Sequence, residues 1–190
     1  MVSRAKFLFL LFIVISSSSD GASSIDDKIG KSFLERDYHA FELLYLKASN
    51  KDYFSHSSGV IVGYIDFSIA YKDERFFQLV VQYGDPNFPD DMDFTPIFTA
   101  AMNCKFDKVE KLVERGARIN YLSFSQGASP LHMAVLAGCH DVADYFVNLG
   151  AQNISGNNDL PTPLELAIEQ GDEQMIAIVQ AAVKNGLGKR

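Results

Sequence analysis

Hydrophobic positions in this 190-residue chain come in short helical bursts, each opened by a hydroxyl residue and proline and closed by glycine. The clearest is Ser129-Pro130-Leu131-His132-Met133-Ala134-Val135-Leu136-Ala137-Gly138. Ser129 can accept a first-turn N–H as an N-cap. Pro130 follows where its missing N–H costs nothing, and Gly138 permits the turn out. So short a helix does not stand alone in water and needs neighbours. The pattern supplies them. Thr95-Pro96-Ile97-Phe98-Thr99-Ala100-Ala101 begins 34 residues earlier, and Thr162-Pro163-Leu164-Glu165-Leu166-Ala167-Ile168 begins 33 residues later. The first two bursts are each followed by a second amphipathic segment ending in Gly-Ala, at Gly116-Ala117 and Gly150-Ala151; the third keeps a second helix through Val179. A weaker copy runs from Gly63 to Asn87 without the Thr-Pro, its Gly84 lying 32 residues before Gly116.

A period near 33 residues, opened by Ser/Thr-Pro-Leu-His-x-Ala and closed by Gly-Ala, resembles the ankyrin repeat. The resemblance implies an all-α solenoid of stacked helix-turn-helix units. A degenerate repeat would occupy 61–94, and further repeats 95–128, 129–161 and 162–190. Small residues Ala100, Ala101, Ala134 and Ala167 would let helices approach, while Leu112, Val113, Phe146, Val147, Ile178 and Val179 fill the second-helix layer. His132 invites a catalytic reading; in the family it instead ties its turn to the neighbour by hydrogen bonds. Phe98 and Glu165 stand in its place in the flanking copies, which loses or alters the tie.

Upstream, Phe33, Leu34, Phe41, Leu44 and Tyr45 recur at helical intervals and predict one helix over 32–47, capped by Ser32. Residues 53–59 read as a loop. Residues 24–60 are then an N-terminal capping helix and linker that hides the first repeat's apolar face. The alternative is a separate functional arm holding His39 and His56. Residues 1–23 have a different character. Arg4 and Lys6 precede the unbroken apolar run 7–15, and a small-residue stretch with Gly21-Ala22-Ser23 follows. This is the order of a secretory signal peptide. The run is far short of the ~20 residues that span a bilayer, although an uncleaved anchor is the alternative. The expectation is an exported chain, secreted or periplasmic, without stable membrane insertion after cleavage.

Charge narrows the partners. The chain carries 17 basic and 24 acidic residues, and without 1–23 the balance is 15 against 23, a net −8. Nucleic acid and anionic lipid select basic surfaces, so neither is expected, whereas a basic protein partner fits. Both cysteines, Cys104 and Cys139, fall at the ends of first helices in adjacent repeats. Stacked repeats of the family lie about one helix diameter apart, and a disulfide needs Cα atoms within about 7 Å. Free thiols, in a monomer held by stacking, are the expectation. Lys184 suits the negative end of the last helix, and the Gly186–Arg190 tail should fray.

No catalytic or metal constellation stands out. Cys139-His140-Asp141 with His132 has ligand-type residues, but they straddle a helix end inside a matched repeat. Asp90, Asp91 and Asp93 lack the turn glycine of a calcium loop. No Gly-x-Ser-x-Gly, Walker or dinucleotide pattern is present. The chain therefore reads as a non-enzyme without cofactor or metal.

The resemblance implies a rigid surface that binds a protein partner through turn tips and the outer face of first helices. Carried onto this chain, the tips are Asp91, Met92 and Phe94, then Ser125 and Gln126, then Asn158 and Asp159. The helix positions are Met102 and Asn103, Leu136 and Ala137, Glu169 and Gln170. The second turn departs from the family: it is one residue longer and carries Tyr121, Leu122 and Phe124 where polar residues are usual. Either these aromatics, Tyr121 and Phe124 foremost, contact a partner, or they fold back as local packing. The acidic turn beside them either meets Lys or Arg of the partner or is simply solvated. Three functions remain: an exported protein-binding module, sharpened as an inhibitor or immunity protein against a toxin or enzyme; an enzyme or metal protein with an unrecognised site; and a structural subunit of an envelope complex. Asn153-Ile154-Ser155 is in addition a glycosylation acceptor triplet, relevant in a eukaryotic host.

Overall fold

The computed structural model describes residues 24–55, 61–71, 73–91, 93–156 and 159–187. The expected signal peptide, His56, Met92, Asn158 and the basic tail lie outside these residues. Two compact units divide the chain after Gly84, within the stretch expected as the degenerate repeat.

The N-terminal unit differs from the single helix expected over 32–47. Helix α1 spans Ile25–Leu34 and is opened by a reciprocal capping box between Ser24 and Asp27. Helix α2 spans Tyr38–Lys47. Arg36 adopts φ +58° between them, and the Asp37 carboxylate accepts the Ala40 N–H as the new N-cap. Ser32 is therefore not a cap. It is buried inside α1, its hydroxyl donating to Ile29 O at 2.7 Å. The apolar spacing runs through the break because both helices face the same core. Residues 53–59 are not all loop either: β1 (Tyr53–Ser55) and β2 (Ile61–Gly63) pair antiparallel, Tyr53 opposite Gly63, so the all-α expectation holds but for this hairpin. Helices α3 (Tyr64–Ile69) and α4 (Glu74–Tyr83) complete the unit. Its core is aromatic. Phe33 stacks on Phe76 at 4.9 Å and meets Phe41 at 4.2 Å, while Tyr45 meets Tyr64 edge-on at 5.0 Å. The Lys51 ammonium donates to the carbonyls of Tyr45, Leu46 and Ala48, satisfying the orphan end of α2.

The C-terminal unit is three helix pairs: α5 (Pro96–Met102) with α6 (Phe106–Glu114), α7 (Pro130–Leu136) with α8 (His140–Asn148), and α9 (Pro163–Gln170) with α10 (Glu173–Leu187). First helices pack on first helices and second on second. Ala100, Ala101, Ala134 and Ala167 are fully buried and set the close spacing, with Leu112, Phe146, Val147 and Val179 buried in the outer layer. Two asparagines join successive turns. Asn87 accepts from the Arg118 N–H and donates to Gly116 O; Asn120 accepts from the Gln152 N–H and donates to Gly150 O.

The turn between first and second helix needs a left-handed residue. Gly138 and Gly171 supply it at φ +67° and +68°, but the first pair uses Cys104 at φ +51°. Cys104 is bonded to Cys139, with Cα atoms 5.3 Å apart. The expectation of free thiols is thus overturned. The helix axes are a diameter apart, but Cys104 sits on the tight turn at the end of α5 and Cys139 opens α8, where the backbones converge.

The three first-helix caps are not equivalent. Ser129 accepts from the His132 N–H, and Thr162 forms a reciprocal box with Glu165. Thr95 faces Phe98 instead, and its buried hydroxyl has no hydrogen-bond partner. Ser129→Ala is expected to cost about 1 kcal/mol. Thr95→Val removes an unsatisfied group and should leave the urea midpoint unchanged or raise it.

Candidate functional site

The second turn, the one with the unexpected aromatics, is organised by Asp93. This residue is itself left-handed, at φ +63°. One carboxylate oxygen accepts the Tyr121 hydroxyl proton and the other accepts the Phe124 N–H, both at 2.6 Å. Tyr121 is further held edge-on to Phe98 at 6.2 Å, and the Arg118 guanidinium lies 4.8 Å from its ring centre. Desolvation and the bond to Asp93 push the Tyr121 hydroxyl up to about 12. The loop closes on itself: Ser123 N–H donates to Ala128 O, Gly127 N–H to Ser123 O, and Gln126 N–H to the Ser123 hydroxyl. Gly156 N–H donates to Gly127 O of this loop, and the approach is close enough that a Cβ on Gly156 would sit 3.1 Å from Gly127 Cα.

The two aromatics therefore part company. Tyr121 is local packing, while Phe124 is 92% exposed on a braced tip. Ser125 and Gln126 are exposed beside it. The acidic turn also divides. Asp93 is the brace, Asp90 accepts the Phe94 N–H, and Asp91 alone of the three is both exposed and outside these bonds. Phe94 is half-buried and stacks on Phe98 at 4.9 Å, so it belongs with the packing.

Histidines and cysteines are otherwise committed. His132 is fully buried, its Nδ1 accepting the Ser129 N–H and its Nε2–H donating to Pro161 O. His140 Nε2 lies 2.8 Å from the Asp172 carboxylate, and Cys139 is in the disulfide. Each of the four residues weighed as metal ligands thus has a structural place, save Asp141, which is exposed on the first turn of α8.

Residues 97–147, which hold α5 to α8 nearly complete, match the family model described as ankyrin repeats (many copies). This chain carries ankyrin repeats. A 99-residue stretch is also 30% identical to "Putative E3 ubiquitin-protein ligase XBAT35" of Arabidopsis thaliana. That stretch covers 51% of this chain and 21% of the relative, so the chain spans about a fifth of that protein. Ankyrin repeats are protein–protein interaction modules, a family of binding scaffolds rather than catalysts.

Among the ankyrin first helices, the outer ends form a row in register. Met102 is half-buried, Leu136 is 49% exposed, and Glu169 is exposed. Asn103, Ala137 and Gln170 lie one residue on, all exposed. Asp159 is exposed at the third tip. Ile168, 56% exposed on α9, joins this face although sequence reasoning passed over it. Its signal was available: the equivalent positions Ala101 and Val135 are buried by a following repeat, and the last repeat has none.

Proposed function

We propose that this chain is an exported, non-catalytic module that binds one protein partner through the tips and first helices of residues 95–190. The observation that carries the reading is Phe124, a large apolar side chain held in water on a loop braced at four points. Exposing an aromatic ring forgoes burial energy, and such rings dominate interface hot spots. Leu136 and Ile168 extend the apolar surface, and exposed Asp91, Asp159 and Glu169 offer partners for Lys or Arg at its rim. A basic protein with an apolar pocket fits this face.

Export is supported by the disulfide, because such bonds persist in oxidising compartments and are rare in reducing ones. It is supported also by the basic, apolar and small-residue order of residues 1–23. Among the described residues, no helix is long and apolar enough to cross a membrane. The test is capture from the exported fraction of the native source on immobilised protein, with Phe124→Ala as the comparison. A partner retained by the wild type and lost by the variant supports the reading. A partner retained equally by both rejects Phe124 as the anchor, and a chain found only in the cytosol rejects export.

A further inference from the structure

Asn87, Asn120 and Asn153 recur every 33 residues, at the same place after successive second helices. The first two spend both ends of the carboxamide on the next turn, Oδ1 on a backbone N–H and Nδ2 on a glycine carbonyl. Asn153 breaks the series. Its Oδ1 accepts the Leu164 N–H at 2.8 Å, but its Nδ2 has no protein acceptor among the described residues. The cause is the end of the array. After Asn153 the next second helix is α10, which continues to Leu187 with no glycine turn to offer a carbonyl. Asn153 lies half-exposed in the irregular segment between α8 and α9. Ile154 and Ser155 follow it, and Asn-Ile-Ser is the one Asn-x-Ser/Thr triplet of the whole sequence.

We infer that Asn153 is an N-glycosylation site, an inference that rests on the export reading. Nδ2 forms a bond to C1 of an oligosaccharide delivered on a lipid pyrophosphate. The bond from C1 to the pyrophosphate oxygen breaks, the lipid pyrophosphate leaves with the electron pair, and one Nδ2 proton passes to a base of the transferring enzyme. The product keeps one N–H and the whole carbonyl. The Leu164 N–H bond therefore survives, and the turn is unchanged. At Asn87 or Asn120 the same chemistry would break a bond between turns.

The experiment expresses the full chain in a eukaryotic secretory host. One version has its own N-terminus; the other carries an established cleavable leader fused to Met1. Ser155→Ala and Ser155→Thr are made in both. Secreted protein is run before and after treatment with peptide N-glycosidase, and the peptide holding residue 153 is sequenced by mass. The expected result is one discrete mass step removed by the enzyme, with Asn153 converted to aspartate. The step should be lost in Ser155→Ala and kept in Ser155→Thr. Secreted protein with no step behind the added leader overturns the inference, as does a step that survives Ser155→Ala. A step seen only behind the added leader leaves the site standing and overturns export by the chain's own N-terminus.

Discussion

Cys139→Ser should lower the unfolding free energy of the oxidised protein by about 4 kcal/mol, the chain-entropy value for a bridge across 35 residues. Dithiothreitol should bring the wild type to the same urea midpoint as the variant. The conformation of Cys104 adds a second, smaller effect that separates the bond from the backbone. Cys104 is left-handed at φ +51°, where the next two repeats use glycine. The turn itself demands this shape: Lys105 N–H bonds to Ala100 O as Cys139 N–H bonds to Ala134 O. A side chain there costs about 1–2 kcal/mol. Cys104→Gly should therefore lose the crosslink yet regain about 1 kcal/mol over Cys104→Ser. Equal midpoints with and without reductant would contradict the account, and so would a Cys104→Gly variant no more stable than Cys104→Ser.

Acid should destabilise the repeats through His132. Burial drives the imidazole down to about 4 against an ordinary 6.5, outweighing the opposing pull of the Pro161 carbonyl. The neutral ring is needed, since Nδ1 must accept the Ser129 N–H while Nε2–H donates to Pro161 O. Between these two values the unfolded chain holds the extra proton, so stability rises with pH. The contribution is fully present above 6.5 and is lost as pH falls to about 4. Its size is about 3 kcal/mol, at 1.36 kcal/mol per unit. Glu165 and Asp172 are held below the ordinary carboxyl range chiefly by backbone N–H bonds, from Thr162 and Met175 respectively. Their stabilisation fades below the histidine window. His132→Gln keeps a side-chain acceptor at the third helical position and should flatten the slope between pH 6.5 and 4. A slope unchanged by this substitution would show that the histidine is not its source.

The helix pairs were legible because their punctuation is local. A hydroxyl-proline start and a glycine end mark α5, α7 and α9 wherever they occur. What escaped depends on convergence in three dimensions. The disulfide joins two turns whose approach no single repeat reveals. The break at Arg36 and Asp37 was hidden by apolar spacing that serves two helices facing one core, though Asp37 carried the signature of a cap. Strands of three residues show no readable alternation. At the site, Tyr121 and Phe124 are indistinguishable by residue type; only Asp93, 28 and 31 residues away, separates the packed ring from the exposed one.

The central claim is that residues 95–190 hold a partner by the Phe124 tip. The most direct test is the Kd of the captured partner, measured by calorimetry for wild type, Phe124→Ala and Glu110→Ala, an exposed change on α6. Circular dichroism would confirm equal helicity. The account predicts a loss of about 2 kcal/mol or more for Phe124→Ala, roughly thirtyfold in Kd, and no change for Glu110→Ala. An unchanged Kd for Phe124→Ala would contradict it.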